Sequence, residues 1–366
     1  MASTPPISFA RGAPSLDIID AEGLSEAAQR AFANDPSGTF AYGTSVGYVP
    51  LREWIAEQHD VTPEQVLVTN GSMQADAFLF ALMVAPGDAV IVESPTYDRT
   101  LLNLRQRGAD VRMVELETDG IDVSALEALL DGGVEPKLAH IIPNFQNPAG
   151  YTLSAPKRAR LLELAAERDF VLFEDDPYLS IRFEGEGMPT MLSQDEAGKV
   201  VYASSFSKTV CPGIRCGYLV GPQAVIDQVK GLATNTYISP NMVAQSIVNE
   251  FCRSGRIEQS IATVKAALRE RRDALVAALE RELPEARFTP PQGGYFMWVE
   301  LPEGTSVAEL ETAARERGVV FVKGTDFLLE GGENTLRLAY SGVTPEQIDE
   351  GVTRLAQAAR SLGVAA

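Results

Sequence analysis

Few side chains in this sequence are suited to covalent chemistry. The 366 residues include two histidines and three cysteines, and no two cysteines have the C-x-x-C spacing of a zinc site or redox motif. We therefore expect neither a metal site nor a disulfide framework. His59 lies in a polar run and is predicted to be a surface residue. His140 lies in an apolar run and is predicted to be a hydrogen-bonded strand residue rather than a catalyst.

A lysine is the remaining candidate nucleophile. Lys208 ends the run Ser204-Ser205-Phe206-Ser207-Lys208, which follows an apolar stretch at 200–203. The turn-forming run Pro212-Gly213-Ile214-Arg215-Cys216-Gly217 comes shortly after it. Taken alone, a lysine that ends a strand is usually a surface residue. Its neighbours in the sequence therefore decide whether it is more than that.

Two further polar runs follow apolar stretches. Asp175, Asp176 and Tyr178 come directly after the stretch 170–173, where an acidic pair most often caps the next helix. Asn147 begins an Asn-Pro-x-Gly sequence after the stretch 138–142, and such a sequence is also ordinary turn chemistry. Each run is weak evidence by itself.

A strand-to-helix junction at 69–74 contains Gly71, Ser72 and Met73. Backbone N–H groups at a helix N-terminus bind phosphate, and glycine permits close approach, although the same residues also make a good helix cap. Tyr97 follows the next strand and is equally compatible with a surface aromatic residue.

Arg337 lies inside the otherwise apolar run 335–340. A buried arginine is uncommon unless it is paired with a carboxylate. Either an interior salt bridge or a bound carboxylate would satisfy it.

The elements that position these residues alternate in type. Short apolar, β-branched runs at 66–69, 89–92, 111–114, 138–142, 170–173, 200–203 and 217–220 are predicted strands. Helical patterns at 74–83, 123–130 and 156–167 separate them. This alternation predicts an α/β fold with a mostly parallel sheet and helices on both faces. Ligands of such sheets bind beyond the carboxyl ends of the strands, where the polar runs lie.

The pattern changes after Gly221. Residues 241–283 are predicted to form long helices, one of which bridges two domains. Strands at 294–299, 319–322 and 335–340 and helices at 307–317 and 346–362 predict a smaller α+β unit. We expect a large domain at 36–270, a small C-terminal domain at 271–366, and an N-terminal segment at 1–35 associated with the small domain.

The composition narrows the classes of partner. A net charge of −19 argues against binding to nucleic acid or to anionic membranes, so an anionic ligand would need a local basic pocket. No apolar run is long enough to span a membrane, and the first residues do not resemble a secretory signal. We therefore expect a cytoplasmic location.

Taken together, these runs resemble the class I/II aminotransferases of PLP (pyridoxal 5′-phosphate) fold type I. The run from Ser205 to Gly217 matches the cofactor-lysine signature S-x-S-K-x-x-x-P-G-x-R-x-G at each fixed position. Six elements occur in the order that the family uses, and the resemblance extends from about Phe9 to the C-terminus. Within the family, the chain resembles the subgroup of α-aminoadipate (LysN-type), kynurenine and aromatic aminotransferases.

The resemblance implies a role for each run. Lys208 would carry PLP as a Schiff base, Asp175 would keep the ring nitrogen protonated, and Tyr97 would stack on the ring. Tyr178 and Asn147 would contact the ring phenolate oxygen. Asp176 has the wrong spacing to the tyrosine. The implied phosphate ligands are Gly71, Ser72, Met73, Ser205, Ser207 and Arg215. The implied substrate ligands are Arg337, Asn147, Gly12 and Arg11.

Two implications concern the edges of the site. In the family Tyr42 reaches the phosphate of a neighbouring subunit, which implies a homodimer with shared active sites. Relatives usually read F-x-G-G where this chain has Phe9-Ala10-Arg11-Gly12, and those of the α-aminoadipate type have a longer N-terminal helix. If Arg11 faces the site, it would favour aminoadipate, glutamate or aspartate; otherwise it points to solvent or pairs with a surface acid.

The predicted function is transfer of an amino group from an L-amino acid to a 2-oxo acid, with 2-oxoglutarate as the expected acceptor, by a ping-pong mechanism. The alternatives are another PLP reaction on amino acids (β-lyase, decarboxylase or oxygen-using enzyme) and a regulator derived from this fold. A regulator would carry a basic N-terminal extension, which this sequence lacks before Phe9.

Overall fold

The structure is a computed structural model that describes residues 6–364. Residues 1–5 of the predicted N-terminal segment and 365–366 of the predicted small domain lie outside the described residues. The strands are β1 Ile7–Ser8, β2 Val66–Thr69, β3 Ala89–Ser94, β4 Asp110–Glu117, β5 Gly120–Ile121, β6 Pro136–Ile141, β7 Val171–Asp175, β8 Val200–Ser205, β9 Gly217–Val220, β10 Arg287–Phe288, β11 Phe296–Glu300, β12 Val319–Val320, β13 Val322–Lys323 and β14 Thr335–Ala339.

The α-helices alternate with the strands in the first part of the chain and dominate after β9. They are α1 Ala21–Asn34, α2 Pro36–Phe40, α3 Val49–His59, α4 Ser72–Met83, α5 Asp98–Gln106, α6 Val123–Asp131, α7 Ala155–Arg168, α8 Gln223–Tyr237, α9 Met242–Arg253, α10 Arg256–Glu282, α11 Val307–Glu316 and α12 Pro345–Ser361. Every apolar run that was predicted as a strand before Gly221 forms a strand.

The large sheet has eight strands in the order β2-β9-β8-β7-β6-β3-β4-β5. Strands β8, β7, β6, β3 and β4 are parallel, whereas β9 is antiparallel to both of its neighbours and β5 is antiparallel to β4. The predicted mostly parallel sheet is therefore confirmed. The carboxyl ends of β3, β6, β7 and β8 meet at one edge, where their polar runs begin.

Helices cover both faces of this sheet, because successive strand side chains point to opposite sides. Val90 and Val92 of β3 pack in a core that includes residues of α4 and α8. Ile91, between them, packs in a different core that includes residues of α6 and α7. Burial on both faces explains why these strands are continuously apolar rather than alternating.

A second, antiparallel sheet has the order β10-β11-β14-β13. The N-terminal strand β1 pairs in parallel with β12, and the Ala339 N–H donates to the Phe9 carbonyl at 2.7 Å. Helix α1, in contrast, packs against α9. The predicted domain boundaries at 35/36 and 270/271 remain predictions. Helix α10 spans the second of these boundaries.

One predicted strand is wrong. Residues 319–322 form two separate strands rather than one, because β12 pairs with β1 while β13 pairs with β14. Buried Phe321 lies between them. Within residues 6–364, no helix combines the length and apolar character that a membrane crossing requires.

Candidate active site

A cavity of about 610 Å³ lies where the carboxyl ends of the parallel strands meet the start of α4, the N-terminal segment and β14. Most of the predicted site residues line it. They are Arg11, Gly12, Ser72, Met73, Tyr97, Asn147, Asp175, Tyr178, Ser205, Ser207, Lys208, Arg215 and Arg337. Gly71 adjoins the cavity as the residue before Ser72, and Tyr42 lies outside it.

Lys208 projects into this cavity from the turn after β8. Its Nζ donates a hydrogen bond to the Gly12 carbonyl at 2.7 Å. The same atom lies 5.1 Å from the ring centroid of Tyr295 and 5.6 Å from that of Tyr178. The amine is therefore surrounded by two aromatic rings and one carbonyl. Among residues 6–364, no carboxylate lies within 4 Å of it.

This environment favours the neutral amine. Burial, followed by the positive charges of Arg337 and Arg215, lowers the pKa of Lys208 to about 8, and Asp175 opposes that change. An amine with such a pKa is partly unprotonated near neutral pH and can attack a carbonyl.

The start of α4 and the turn between β8 and β9 form an anion cradle. Gly71 precedes the helix with a φ of +89°, and a Cβ at this position would lie 2.2 Å from Arg215 Nη2. Arg215 Nη1 donates to Ser207 Oγ at 3.2 Å, and the Ser207 N–H donates to Ser205 Oγ at 3.1 Å. A guanidinium, two hydroxyls and the free N–H groups of a helix start fit a phosphate dianion.

Asp175, which also lines the cavity, ends β7. Its Oδ2 lies 3.4 Å from Nε2 of His140, while its buried Oδ1 has no hydrogen-bond partner within the described chain. An acceptor of this kind fits the protonated nitrogen of a pyridine ring. Asp176 points elsewhere, since its Oδ2 accepts a bond from Asn144 Nδ2 at 2.7 Å.

His140 is the neighbour of Asp175 that the sequence did not reveal. It lies in β6 as predicted and is fully buried. Its Nε2 contacts Asp175, as expected of a hydrogen-bonded strand histidine, whereas its Nδ1 lacks a partner within residues 6–364. His59, which was predicted to lie at the surface, is half-buried. Its ring lies 4.8 Å from that of Tyr202, and burial lowers its pKa to about 4.

Arg337 reaches the cavity from β14. Its Nη1 donates to Asn147 Oδ1 at 2.9 Å and its Nη2 to the Ala10 carbonyl at 2.6 Å. The guanidinium packs 4.4 Å from the ring centroid of Phe296. In the part of the chain described, no carboxylate forms a salt bridge with it. The interior salt bridge considered above is therefore not present in this structure, and the buried cation faces the cavity.

A hydrogen-bonded support for the Asn147 loop was also missed. Glu93 Oε2 accepts bonds from the Ile142 N–H and from Gln146 Nε2, both at 3.1 Å. Gln146 Oε1 in turn accepts the Ala149 N–H at 2.8 Å. Burial raises the pKa of Glu93 to about 8. A glutamate that closes an apolar strand was the signal available in the sequence.

The remaining predicted residues differ in exposure. Tyr97 donates from its hydroxyl to the Met73 sulfur at 3.8 Å, so these two residues share one wall. Arg11 is exposed at the mouth of the cavity, without a salt bridge to any carboxylate of the described chain. Tyr42 is 90% exposed and lies in a surface depression beside Phe40.

The geometry defines a site for a phosphorylated, ring-bearing carbonyl cofactor beside a cation that can take a carboxylate. Residues 4–355 match the family model "Aminotransferase class I and II", and the chain belongs to that family. It is therefore a PLP-dependent aminotransferase, an enzyme that moves an amino group from an amino acid to a 2-oxo acid.

Several relatives share almost the whole chain. The 2-aminoadipate transaminase of Thermus thermophilus is 36% identical, covering 97% of this chain and 90% of the relative. The aromatic-amino-acid aminotransferase 1 of Thermococcus litoralis is 33% identical, covering 96% and 87%. A crystal structure of Thermus thermophilus LysN with N-(5′-phosphopyridoxyl)-L-leucine has a TM-score of 0.94 at 35% identity, covering 98% and 92%. The predicted subgroup is confirmed.

Proposed function

We propose that Lys208 would hold PLP covalently, and that its amine would also move the substrate α-proton. The observation that carries this proposal is the Lys208 amine, which faces the same cavity as the unpartnered Asp175 oxygen and the Arg337 guanidinium. PLP supplies the electron sink for this chemistry. Lys208 acts as general base and then as general acid, for which a pKa of about 8 is suited.

The other cavity residues bind and orient. Asp175 would accept the ring N–H, Tyr97 would stack on the ring, and Tyr178 and Asn147 would contact the phenolate oxygen. Arg337 takes the substrate α-carboxylate in a bidentate pair. The phosphate ligands are the backbone and side chains of Gly71, Ser72, Met73, Ser205, Ser207 and Arg215.

We further propose an amino donor with a side-chain carboxylate, and 2-oxoglutarate as the acceptor. Arg11 lines the cavity mouth beside Gly12 and has no carboxylate partner among residues 6–364. It is a local cation in a chain of net charge −19. The name of the Thermus relative, 2-aminoadipate transaminase, agrees with such a donor.

The proposal includes a homodimer with shared sites. Tyr42 is 90% exposed on its own chain, so its ring is free to reach the phosphate site of a second copy. A cytoplasmic location is part of the same proposal. It is supported by three free thiols, because free cysteines are typical of reducing compartments.

The experiment is a set of half-reactions. The PLP-loaded protein is titrated separately with aminoadipate, glutamate, aspartate, leucine, kynurenine and tyrosine, and the loss of the visible absorption of the bound cofactor is followed. We expect the acidic donors to react fastest. Arg11→Ala should slow them about twofold to fivefold, as for an exposed ion pair, and leave leucine unchanged.

Arg287→Ala, which removes an exposed arginine of β10, is the matched control. Equal losses for leucine and glutamate in Arg11→Ala would remove the specificity proposal. Release of carbon dioxide or consumption of oxygen in place of the amino-transferred product would contradict transamination.

A further inference from the structure

A second buried carboxyl group lies in the active-site cavity. Asp76 is in α4, one helical turn after Ser72, so both residues point to the same side of the helix. The side chain lines the cavity and is 6% exposed. Its Oδ1 is buried and has no hydrogen-bond partner within the described chain. None of the roles assigned above uses this residue.

Asp76 and Asp175 line the same cavity. Burial, followed by the negative charge of Asp175, raises the pKa of Asp76 well above its ordinary value. Asp175 likewise has a buried oxygen without a partner in residues 6–364. The titratable and charged groups that line the same cavity are Arg11, Tyr97, Asp98, Arg99, Tyr178, Lys208, Arg215 and Arg337, and His140 lies behind Asp175.

Two carboxylates in one buried site cannot both ionise without a large electrostatic cost, and such pairs hold one proton. Within residues 6–364, no cation forms a salt bridge with Asp76: Lys208 donates to Gly12, and Arg337 donates to Asn147 and Ala10. His140 contacts Asp175. A shared proton therefore removes one negative charge from the pair in the cofactor-free protein.

We propose that Asp76 and Asp175 form a coupled carboxyl pair that holds one proton before PLP binds and gives that proton to the ring nitrogen on binding. The carboxyl O–H bond breaks and the ring N–H bond forms, with no change in electron count. The pair goes from a charge of −1 to −2 beside a ring that gains +1. Asp76 is thus a positioning residue for the ring proton, and this second step depends on the proposed placement of the ring against Asp175.

The first test uses cofactor-free protein and so does not depend on the proposed function. A carboxyl whose folded pKa is raised binds more protons in the folded than in the unfolded state, so its ionisation costs stability as pH rises through the folded pKa. Asp76→Asn should therefore melt at least about 2 °C above wild type at pH 9, and the difference should vanish near pH 4.

Coupling is measured by a double-variant cycle in the same cofactor-free protein. In an Asp175→Asn background, the pH-dependent gain from Asp76→Asn should fall by at least about half, because the neighbouring charge is already gone. Asp110→Asn, at an exposed pair with Arg112, is the matched control and should show no such gain. Additive effects of the two substitutions would overturn the pair.

The second test counts protons on PLP binding by calorimetry in buffers of different ionisation enthalpy. In wild type the pair gives up its proton on binding, whereas Asp76→Asn has no shared proton to give up, so the variant should take up about one more proton per site at pH 8. Equal uptake in both proteins would overturn the proton transfer.

Infrared difference spectra of wild type need no variant. PLP binding should remove one protonated aspartate carbonyl band, assigned by isotope labelling of aspartate, and persistence of that band would also overturn the transfer. If Asp175→Asn leaves the bound-cofactor spectrum unchanged while the cofactor-free coupling is present, the ring placement under the proposed function is wrong and the pair itself stands.

Discussion

At the scale of single residues, the site is built from buried charges that face the cavity instead of each other. The positive charges of Arg337 and Arg215 affect the pKa of Lys208 more than the negative charge of Asp175 does, and Arg337 has no carboxylate partner within residues 6–364. Unpaired buried charges are costly. That cost is offset when an anionic cofactor and an anionic substrate bind.

The lowered pKa of Lys208 leads to a pH-dependence prediction. In cofactor-free protein, labelling of Lys208 by an amine-reactive reagent should rise through about pH 8, because the neutral amine reacts. Arg337→Leu should shift the profile to higher pH, since it removes a positive charge. Mass spectrometry of the labelled peptide measures both. A Lys208 profile identical to that of exposed Lys137 in the same sample would contradict the prediction.

Arg337 supports a prediction about the substrate. Arg337→Lys should lower kcat/KM for amino acids about tenfold to a hundredfold. Lysine cannot make the bidentate contact with the substrate α-carboxylate, and the guanidinium bond to Asn147 is lost as well. The visible absorption of bound PLP should remain, which separates substrate binding from cofactor binding. An equal loss for an amine that lacks the carboxylate would show that Arg337 acts on something other than that group.

The sequence located these residues well where a motif fixes a spacing, as in 204–217 and 175–178. It did not locate Asp76, Glu93 or His140, because their importance arises only when strands far apart in the chain are brought together. His140 meets Asp175 across β6 and β7, 35 positions apart. A local sequence pattern cannot show a contact between residues that lie so far apart in the chain.

At the scale of elements, the site depends on the close approach of β9 to the start of α4. A Cβ at Gly217 would lie 2.4 Å from the Ser72 backbone nitrogen and 2.6 Å from the Gly71 carbonyl carbon. Both atoms are backbone, so neither can rotate away. The strands were predictable because burial on both faces makes them apolar. The antiparallel direction of β9 and the break at Phe321 were not, since pairing partners decide both.

Gly217→Ala should therefore displace the helix start that forms the anion cradle. We expect weaker PLP binding and a loss of about 1–3 kcal/mol in the free energy of unfolding, as for other overpacked sites. Equilibrium dialysis of PLP and chemical denaturation measure the two effects. Gly213→Ala, four positions earlier with no atom within 4 Å of its added Cβ, is the control. Wild-type PLP affinity in Gly217→Ala would contradict the importance of this contact.

At the scale of the whole molecule, the described surface contains an apolar patch beside Tyr42. Phe40 is 61% and Tyr42 90% exposed, and Val243, which lines the same depression, is 37% exposed. Exposed large apolar side chains in one area mark an interface more often than a free surface. A second copy of the chain is the partner that would also explain why Tyr42 lies outside its own cavity.

Subunit mixing tests this arrangement. Lys208→Ala cannot hold PLP covalently in its own cavity, and Tyr42→Ala should weaken phosphate binding in the cavity of the other subunit. In a mixed dimer one site carries both defects, while the other site has Lys208 from one chain and Tyr42 from the other. Mixing the two variants should therefore restore full PLP affinity and activity at up to one site per dimer. Unmixed samples of each variant, and a mixture of Lys208→Ala with wild type, are the controls. If the mixture gives only the average of the two variants, each cavity is complete within one chain, and Tyr42 contributes to neither.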